Sequence, residues 1–331
     1  MDRLRLGVDA GNTKSVAVVA SADGTVQGAG RALGIADIYA ASSVDDAMAV
    51  VEAAVDEALT AAGAARSDVG AGVISIAGAD WPEDIETIHN ALSQRAIGSP
   101  LEVVNDAIGA LVGAVPGGPA VVVSIGTGTA TGARGADGRL WHSSFWQEPQ
   151  GAFELSRRVL SAVYRSELGI DPPTTLTTSV LDAVGAVNVE EVLHRFTARR
   201  QPRPDVVGPL VRALFRQATV GDHVAATICG THGRALGQVA AAAARRVDIA
   251  QAAFAIAFTG AVSKVPGADA LLTPAYEALL AEAPRAARTS PRFEPALGAL
   301  VMALSDRGAV TPSTLDRLSA SAPPASVYRS G

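Results

Sequence analysis

The feature that most constrains this chain is a strand, glycine turn and strand pattern that occurs twice. Near the amino terminus, β-rich residues 4–9 and 15–20 flank the loop 10–14. Further along, the apolar residues 121–125 lead into Gly126-Thr-Gly-Thr129 and then into a second hairpin, which residues 130–133 and 139–142 form around a glycine turn. Two such units at separate places predict two related halves.

The rest of the pattern predicts an α/β protein with more helix in its second half. Apolar residues recur at helical spacing over 44–62 and 82–94, and strands are predicted at 72–78 and 101–105. Beyond residue 151 the pattern is largely helical, apart from a β-rich run at 254–259. Residues 115–120 carry the densest cluster of Pro and Gly, so we place the hinge between two domains there. The 331 residues suit two domains.

Composition and charge exclude several classes of protein. The net charge is −6, and no segment interleaves basic and aromatic residues, which argues against a nucleic-acid partner. The single cysteine, Cys229, excludes an intramolecular disulfide and a multi-cysteine zinc site within one chain. No apolar stretch is long enough to cross a bilayer, and the amino terminus lacks the apolar run of a signal peptide. These features favour a cytoplasmic protein without a membrane partner.

The first glycine loop suits a phosphate group together with a divalent cation. Gly11 allows close approach of the backbone, and Thr13 and Lys14 can donate to phosphate oxygens. Asp9 could hold Mg²⁺ directly or through water. An ordinary glycine hairpin with a solvated lysine is an equally weighted alternative. The Walker motif is excluded, because it requires Gly-Lys-Ser/Thr and here Thr13 precedes Lys14.

The second glycine loop repeats that chemistry after another apolar strand. If Gly126-Thr-Gly-Thr129 faces the first loop, the two would clamp a polyphosphate. A third strand-to-glycine turn, at Gly260-Ala261, could place backbone against a flat ligand such as adenine.

Asp106 follows the predicted strand 101–105 and precedes a helical segment. A carboxylate at that point is either a helix N-cap or a general base at the carboxyl end of the strand, or the pair of Asn105 and Asp106 fills both roles, with Asn105 orienting Asp106. Five histidines show no metal-binding spacing, and His142 alone stands near the supposed cleft.

Taken together, the motifs resemble those of the BadF/BadG/BcrA/BcrD ATPase family, and within it the N-acetylglucosamine kinase branch. The matching segments follow the family's order between residues 4 and about 305. They are Asp9-Ala-Gly-Asn-Thr-Lys-Ser15, Ala77-Gly-Ala-Asp80 with Pro82-Glu-Asp84, Asn105-Asp-Ala107, Gly126-Thr-Gly-Thr129 and Phe258-Thr-Gly260.

The resemblance implies two ribonuclease H-like domains of the actin-like superfamily, with nucleotide and sugar in the cleft between them. The first domain would span residues 1–115, with the helix at about 294–306 returning to it, and the second would span 118–293. The Ser-, Pro- and Ala-rich residues 307–331 are expected to form a loosely held tail.

The same resemblance implies roles for individual residues. Asp106 would be the base and Asp9 the Mg²⁺ ligand. Nucleotide and phosphate contacts would come from the three glycine turns, namely Gly11, Asn12, Thr13, Lys14, Thr127, Gly128, Thr129, Gly260 and Ala261. Sugar contacts would come from Asp37, Asn105, Asp106, Thr127, Gly128, Trp146 and Glu148.

The chain departs from the family's pattern at three places. Gln147-Glu-Pro-Gln-Gly-Ala152 replaces a Gly-Asp-Glu-Gly-Ser-Gly motif, so Glu148 is only a substitute for the usual acidic sugar contact. Asp37 stands where the family offers Asn, and Gly260-Ala261 where it has Gly-Gly.

These observations predict ATP- and Mg²⁺-dependent phosphorylation of an amino sugar, with N-acetylglucosamine first among the candidates. One alternative is an ATPase that acts on a protein partner. Family activators of that type hold an iron–sulfur cluster with two cysteines from each subunit, and Cys229 alone does not supply them. Another is a sugar sensor that has lost turnover. The resemblance also allows a homodimer, since dimers are common among such kinases.

Overall fold

A computed structural model of the protein describes residues 3–98, 100–199, 205–305 and 310–328. Its first sheet has the strand order β3-β2-β1-β4-β5, in which β2 is antiparallel to both of its neighbours and the other pairs are parallel. The strands are β1 Leu4–Ala10, β2 Lys14–Ala20, β3 Val26–Leu33, β4 Val69–Ile76 and β5 Leu101–Asn105.

The second sheet repeats this order. Read from its hairpin edge it runs β8-β7-β6-β9-β10, with two antiparallel pairs followed by two parallel ones. Its strands are β6 Ala120–Ile125, β7 Thr129–Arg134, β8 Leu140–His142, β9 Phe254–Thr259 and β10 Ala286–Arg288. The prediction of two related α/β halves is therefore confirmed.

Helices cover both sheets, and their bounds agree closely with the apolar spacing of the sequence. The predicted helix 44–62 is α1, which begins after the N-cap Ser43. The others are α2 Pro82–Ser93, α3 Asp106–Ala114, α4 Ala152–Glu167, α5 Leu176–Val184, α6 Val189–Thr197, α7 Val207–Thr219, α8 His223–Arg246, α9 Asp269–Glu282, α10 Pro295–Leu304 and α11 Pro312–Ala320.

Two helices, α3 and α10, lie between the sheets and pack against each other. A Cβ atom at Gly298 of α10 would lie 2.0 Å from the Gly109 carbonyl oxygen of α3, so only glycine permits this crossing. Helix α10 packs on the first sheet, where Gly7 faces Leu300. Helix α3 buries Leu111 in a cluster with Val122 of the second sheet. The hinge predicted at 115–120 thus follows a helix that already contacts the second sheet.

The tail differs from its expected loose state over the part that the structure describes. Residues 312–320 form α11, and Leu318 is fully buried with Val16 and Val18 of the first sheet. The segment is rich in Ser and Pro, but its few apolar residues pack against the first sheet and hold it there. The end of the predicted return helix at 306, and residues 307–309 and 329–331 of the predicted tail, lie outside the described residues. Among the helices of the described ranges, none has the length and apolar content to span a bilayer.

Candidate active site

The first glycine loop connects β1 to β2 and is held in place by the chain that follows β3. The Gly11 amide donates to the Lys14 carbonyl over 3.1 Å, which closes the turn. Two amides of the neighbouring segment, at positions 34 and 36, donate to the carbonyls of Thr13 and Gly11 over 3.0 and 2.9 Å. A Cβ atom placed at Gly11 would meet only the Lys14 carbonyl, at 4.0 Å. The loop is therefore rigid on one side and open on the other.

The second glycine loop is braced by the amino terminus of α4. The amides of Ala152 and Phe153 donate to the carbonyls of Gly126 and Thr127 over 2.9 and 3.2 Å. Because a Cβ atom at Gly151 would lie 2.2 Å from the Gly128 carbonyl oxygen, this close approach needs glycine. The N-terminal amides of α4 thus fix the carbonyls of the loop and make no use of its hydroxyl groups.

Gln150 completes the support of the second loop. Its Oε1 atom accepts a hydrogen bond from the Thr129 backbone amide over 3.2 Å, and its backbone amide donates to the Glu154 carboxylate over 2.7 Å. The Gln150 carbonyl also lies 2.6 Å from Nε2 of the buried His232. The segment that departs from the family's acidic motif therefore has a clear structural role.

The two loops face each other across the space between the sheets. The hydroxyl oxygens of Thr13 and Thr127 are 3.0 Å apart, although the residues are separated by 114 positions. An anion placed there could accept hydrogen bonds from both halves of the molecule.

The turn after β9 lies beside the second loop. Gly260 has φ +87°, and a Cβ atom there would lie 2.4 Å from the Ile125 carbonyl oxygen, immediately before Gly126. The Ser263 hydroxyl donates to the Gly260 carbonyl over 2.9 Å and closes the turn. The structure thus joins Gly260 and Ala261 to the second loop, as parallel pairing of β6 with β9 requires.

Asp106 is the first residue of α3, but Asn105 provides the cap. The Asn105 Oδ1 atom accepts from the Ala107 amide over 3.0 Å, and its Nδ2 group donates to Asp80 over 2.8 Å. Within the pair, Asn105 is therefore the N-cap of α3, and the role of Asp106 as a base stays a prediction. Burial, reinforced by the charges of Asp9 and Asp80, raises the pKa of Asp106 to about 7, while the Ala107 amide opposes the shift.

Asp9 has a similar environment at the end of β1. Burial raises its pKa to about 6 against the opposing charge of Lys14, and Glu294 contributes to the increase. Described residues hold no group of three or more metal-ligating side chains. Mg²⁺ is commonly held by one or two carboxylates together with substrate phosphates. A carboxylate whose ionised form is destabilised by burial would also gain from a cation beside it, so Asp9 fits the ion.

Lys14 has a partner that the sequence did not indicate. Its ammonium group donates to the carbonyl of Tyr328, near the end of the described chain. Burial lowers the pKa of Lys14, and the charges of Asp9 and Glu294 counteract the shift. Lys14 therefore stands beside the Asp9 carboxylate and is fixed from the carboxyl-terminal side.

A second group of polar residues lines the cleft next to Asp106. Asp37 accepts from the Asn12 side-chain amide over 3.0 Å and from the Tyr39 backbone amide over 2.9 Å, which links it to the first loop. Burial raises the pKa of Asp80, and the nearby Ser144 and His142 oppose the shift. In the sequence, Asp80 belongs to the matching segment Ala77-Gly-Ala-Asp80 and has no predicted role. Its hydrogen bond with Asn105 makes it part of the candidate site.

Three exposed aromatic side chains, from both halves of the chain, meet beside this cleft. Of fourteen aromatic residues, five are exposed, and these are Tyr39, Trp81, Phe145, Trp146 and Phe153. Phe145, from the second half, lies edge-on to Tyr39 and stacks on Trp81 at centroid distances of 5.2 and 6.4 Å. Tyr39 in turn donates to Asp84 over 2.9 Å. Sequence reasoning missed Phe145, since nothing local distinguishes it from Trp146.

The two sugar contacts suggested around position 147 have different surroundings from Asp37 and Asp80. Trp146 is 70% exposed, and Glu148 is exposed as well. Gln147 is buried between them and accepts from the Thr131 hydroxyl over 2.7 Å. The carboxylates that the described residues bring beside Asp106 therefore come from the first half of the chain.

Comparisons with known proteins identify a family and a shared fold. The family model described as the BadF/BadG/BcrA/BcrD ATPase family matches residues 6–303. No curated protein sequence matches the chain significantly.

Three solved structures share the fold. A candidate N-acetylglucosamine kinase from Chromobacterium violaceum is 21% identical, with a TM-score of 0.68 and coverage of 92% of this chain and 99% of its own. A ROK family glucokinase from Streptomyces griseus, in complex with glucose and AMPPNP, is 19% identical with a TM-score of 0.61 and the same coverages. A ROK family transcriptional regulator, homologous to the MLC protein of E. coli, is 15% identical with a TM-score of 0.58, covering 97% and 80%.

Proposed function

The chain belongs to the BadF/BadG/BcrA/BcrD ATPase family, and from that membership we propose that it is an ATP-dependent kinase of an amino sugar, with N-acetylglucosamine first among the candidates. Its fold is that of the actin-like sugar kinases, with two related domains. Because the same fold also occurs in a transcriptional regulator, the proposal depends on the residues in the cleft.

The observation that supports the proposal most is that Asp106 lies near Asp9, which precedes the first of two opposed glycine loops. The Thr13 and Thr127 hydroxyls mark the meeting point of the loops. Asp106 stands at the amino terminus of α3, close enough to Asp9 for its charge to raise the Asp106 pKa. Phosphoryl transfer to a hydroxyl group needs loops that bind the polyphosphate. It also needs a base whose pKa lies near neutrality.

In the proposed reaction, Asp106 accepts the proton of the attacking sugar hydroxyl. The sugar oxygen forms a bond to the γ-phosphorus of ATP, and the bond from that phosphorus to the oxygen bridging it to ADP breaks. The two glycine loops align the phosphates, and Lys14 offsets part of their charge. When bound at Asp9, Mg²⁺ would supply further neutralisation of the phosphate charge.

Sugar recognition would come mainly from the first half of the cleft. Asp37 and Asp80 present carboxylates beside Asp106, and Asn105 fixes Asp80. The hydroxyl-rich rim of a pyranose suits such acceptors, while its C–H faces suit the rings of Tyr39, Trp81 and Phe145. The amino-sugar class itself is supported by the similar structure from Chromobacterium violaceum, and ATP by the AMPPNP complex from Streptomyces griseus.

The decisive experiment is a coupled assay of ADP release with ATP and Mg²⁺. The acceptors are N-acetylglucosamine, glucosamine, N-acetylmannosamine, N-acetylmuramic acid and glucose, with a blank that contains no sugar. Release that requires one amino sugar supports the proposal and names the substrate. Equal release in all wells would instead indicate an ATPase that acts on a protein partner, and sugar binding without release would indicate a sensor.

A further inference from the structure

The carboxyl-terminal segment lies outside the residues that match the family, yet it is built into the first domain. The family match ends at residue 303, whereas α11 and the following turn occupy residues 312–328. Arg317 donates to the Asp23 carbonyl over 2.7 Å, and the Ser321 hydroxyl accepts from the Val26 amide over 2.9 Å. Together with buried Leu318, these contacts hold α11 against the β2–β3 hairpin.

Beyond α11, the chain continues towards the first phosphate loop. A short 3-10 helix, Ala325–Tyr328, ends where the Tyr328 carbonyl accepts from the Lys14 ammonium group. The Ser326 carbonyl accepts from Arg31 of β3 over 3.4 Å. Two backbone carbonyls of the segment 325–328 therefore bind cationic side chains on neighbouring strands of the first sheet.

The Tyr328 side chain is half-buried near the carboxylates of Glu294 and Asp9. Its ring packs against the cluster that contains Val16 and Leu297, and its hydroxyl group is buried without a hydrogen-bond partner among described residues. Burial raises the pKa of Tyr328, with a contribution from the charges of Glu294 and Asp9, so the phenol is close to both. A polar group left unpaired in this way is rare in native proteins, and its location ties the segment to the Asp9 end of the site.

An ammonium group has three N–H donors, and the Tyr328 carbonyl occupies one of them. No other hydrogen bond joins this group to the described residues, so two donors can reach phosphate oxygens or Asp9. A lysine on a flexible stem has many rotamers, so fixing its ammonium group before the ligand arrives reduces the entropy lost on binding.

We infer that residues 325–328 are a positioning segment for the first phosphate loop, which holds Lys14 through the Tyr328 carbonyl in the orientation that binds the phosphates of ATP. The inference rests on the proposed function, because it assumes that a nucleotide occupies the loop. Residues outside the family match would then affect the affinity for nucleotide directly.

The test is a double-mutant cycle read by nucleotide binding, without sugar. The four proteins are the full chain, a chain ending at Pro324, Lys14→Met, and the two changes combined; α11 is retained in all. Affinity for AMPPNP with Mg²⁺ is measured by calorimetry, and thermal unfolding is followed in parallel. We expect the truncation to weaken binding about 5- to 20-fold in the Lys14 background and less than twofold in the Lys14→Met background.

Equal weakening in both backgrounds would overturn the inference, because the segment would then act only through general stability. Failure of the full chain to bind AMPPNP would instead refute the proposed function.

A measurement on the unaltered protein covers the case in which the truncated chain does not fold. Hydrogen exchange is followed in peptides covering residues 9–15 and 321–328, with and without AMPPNP. We expect nucleotide to slow exchange in both, since binding at Lys14 stabilises the segment that holds it. Slower exchange in the loop alone would contradict the inference.

Discussion

The two halves of the molecule have the same strand order but bring different chemistry to the cleft. Pairing at the ends of the two hairpins, Ala10 with Ser15 and Ile125 with Thr129, places Asp9 and Ser124 at corresponding positions. The first half contributes carboxylates, and these are Asp9, Asp37, Asp80 and Asp106. The second half contributes hydroxyl groups and close-packed backbone at the second loop and Gly260.

This difference teaches how a duplicated fold can bind one polyanion and also carry out proton transfer. Carboxylates on both sides would repel the phosphates of ATP, whereas neutral hydroxyl and amide donors attract them. Burying acids in one half has a cost, visible as the pKa values of Asp9 and Asp106: burial raises both, Glu294 adds to the shift of Asp9, and Asp9 and Asp80 add to that of Asp106. The same cost makes Asp106 basic enough to accept a proton near neutral pH.

The largest expected effect comes from removing one acid from the first half. Asp106→Asn preserves the shape of the side chain but cannot accept the proton, so we expect kcat to fall about 10²- to 10⁴-fold, with AMPPNP affinity little changed. Thr127→Ala is the matched change in the second half and should mainly raise the KM for ATP. If both variants changed the same kinetic parameter, the proposed division of labour would be wrong.

Gly260 tests whether the second half depends on close-packed backbone. Gly260→Ala places a Cβ atom 2.4 Å from the Ile125 carbonyl oxygen at φ +87°, so we expect a loss of about 3 kcal/mol in stability and a higher KM for ATP. Gly138→Ala is the control, because Gly138 has φ +84° with no atom within 4 Å of the added Cβ. It should cost only the backbone strain, about 1 kcal/mol. Equal melting temperatures for the two variants would contradict the packing argument.

The pH dependence should report the acids of the first half. Since Asp106 is active when ionised and its pKa is about 7, kcat/KM should rise roughly tenfold per pH unit below 7 and level off above 8. Folding stability has the opposite sign. A raised carboxyl pKa means that the folded state retains a proton that the unfolded chain has released, so stability is lost as pH rises from about 4 through about 7.

Asp106→Asn should remove that loss of stability. We therefore expect the variant to melt at a higher temperature than the parent at pH 8, with a smaller difference at pH 5. If the difference in melting temperature between parent and variant were the same at pH 5 and pH 8, Asp106 would not be desolvated in the folded state.

The smallest effect concerns the aromatic mouth of the cleft, where the halves meet. Phe145→Ala removes the ring that contacts Tyr39 and Trp81, and we expect the KM for sugar to rise several-fold with kcat little changed. Trp146→Ala is the neighbouring control, because its side chain is 70% exposed. If Trp146→Ala raised the KM for sugar more than Phe145→Ala, the result would support Trp146 as the sugar contact that the sequence predicts.

Local features of the fold and site followed from the sequence. The helix α1 was predicted at 44–62 because apolar spacing and the Ser43 cap act over neighbouring residues. The glycine loops were found for the same reason, since an apolar strand that ends in glycine and hydroxyl residues is visible in a short window. The sequence also indicates Asp106 as a candidate, but only the structure shows that Asn105 is the residue that caps α3.

Only the tertiary structure decided which distant residues share the cleft. The sequence by itself determined two related halves, their glycine loops and the acids at the ends of β1 and β5. It could not show that Asp80 contacts Asn105, that Phe145 stacks on Trp81, or that Tyr328 binds Lys14 across 314 positions. Such contacts depend on how α3 and α10 pack between the sheets, and packing is a property of complementary surfaces that no short stretch of sequence contains.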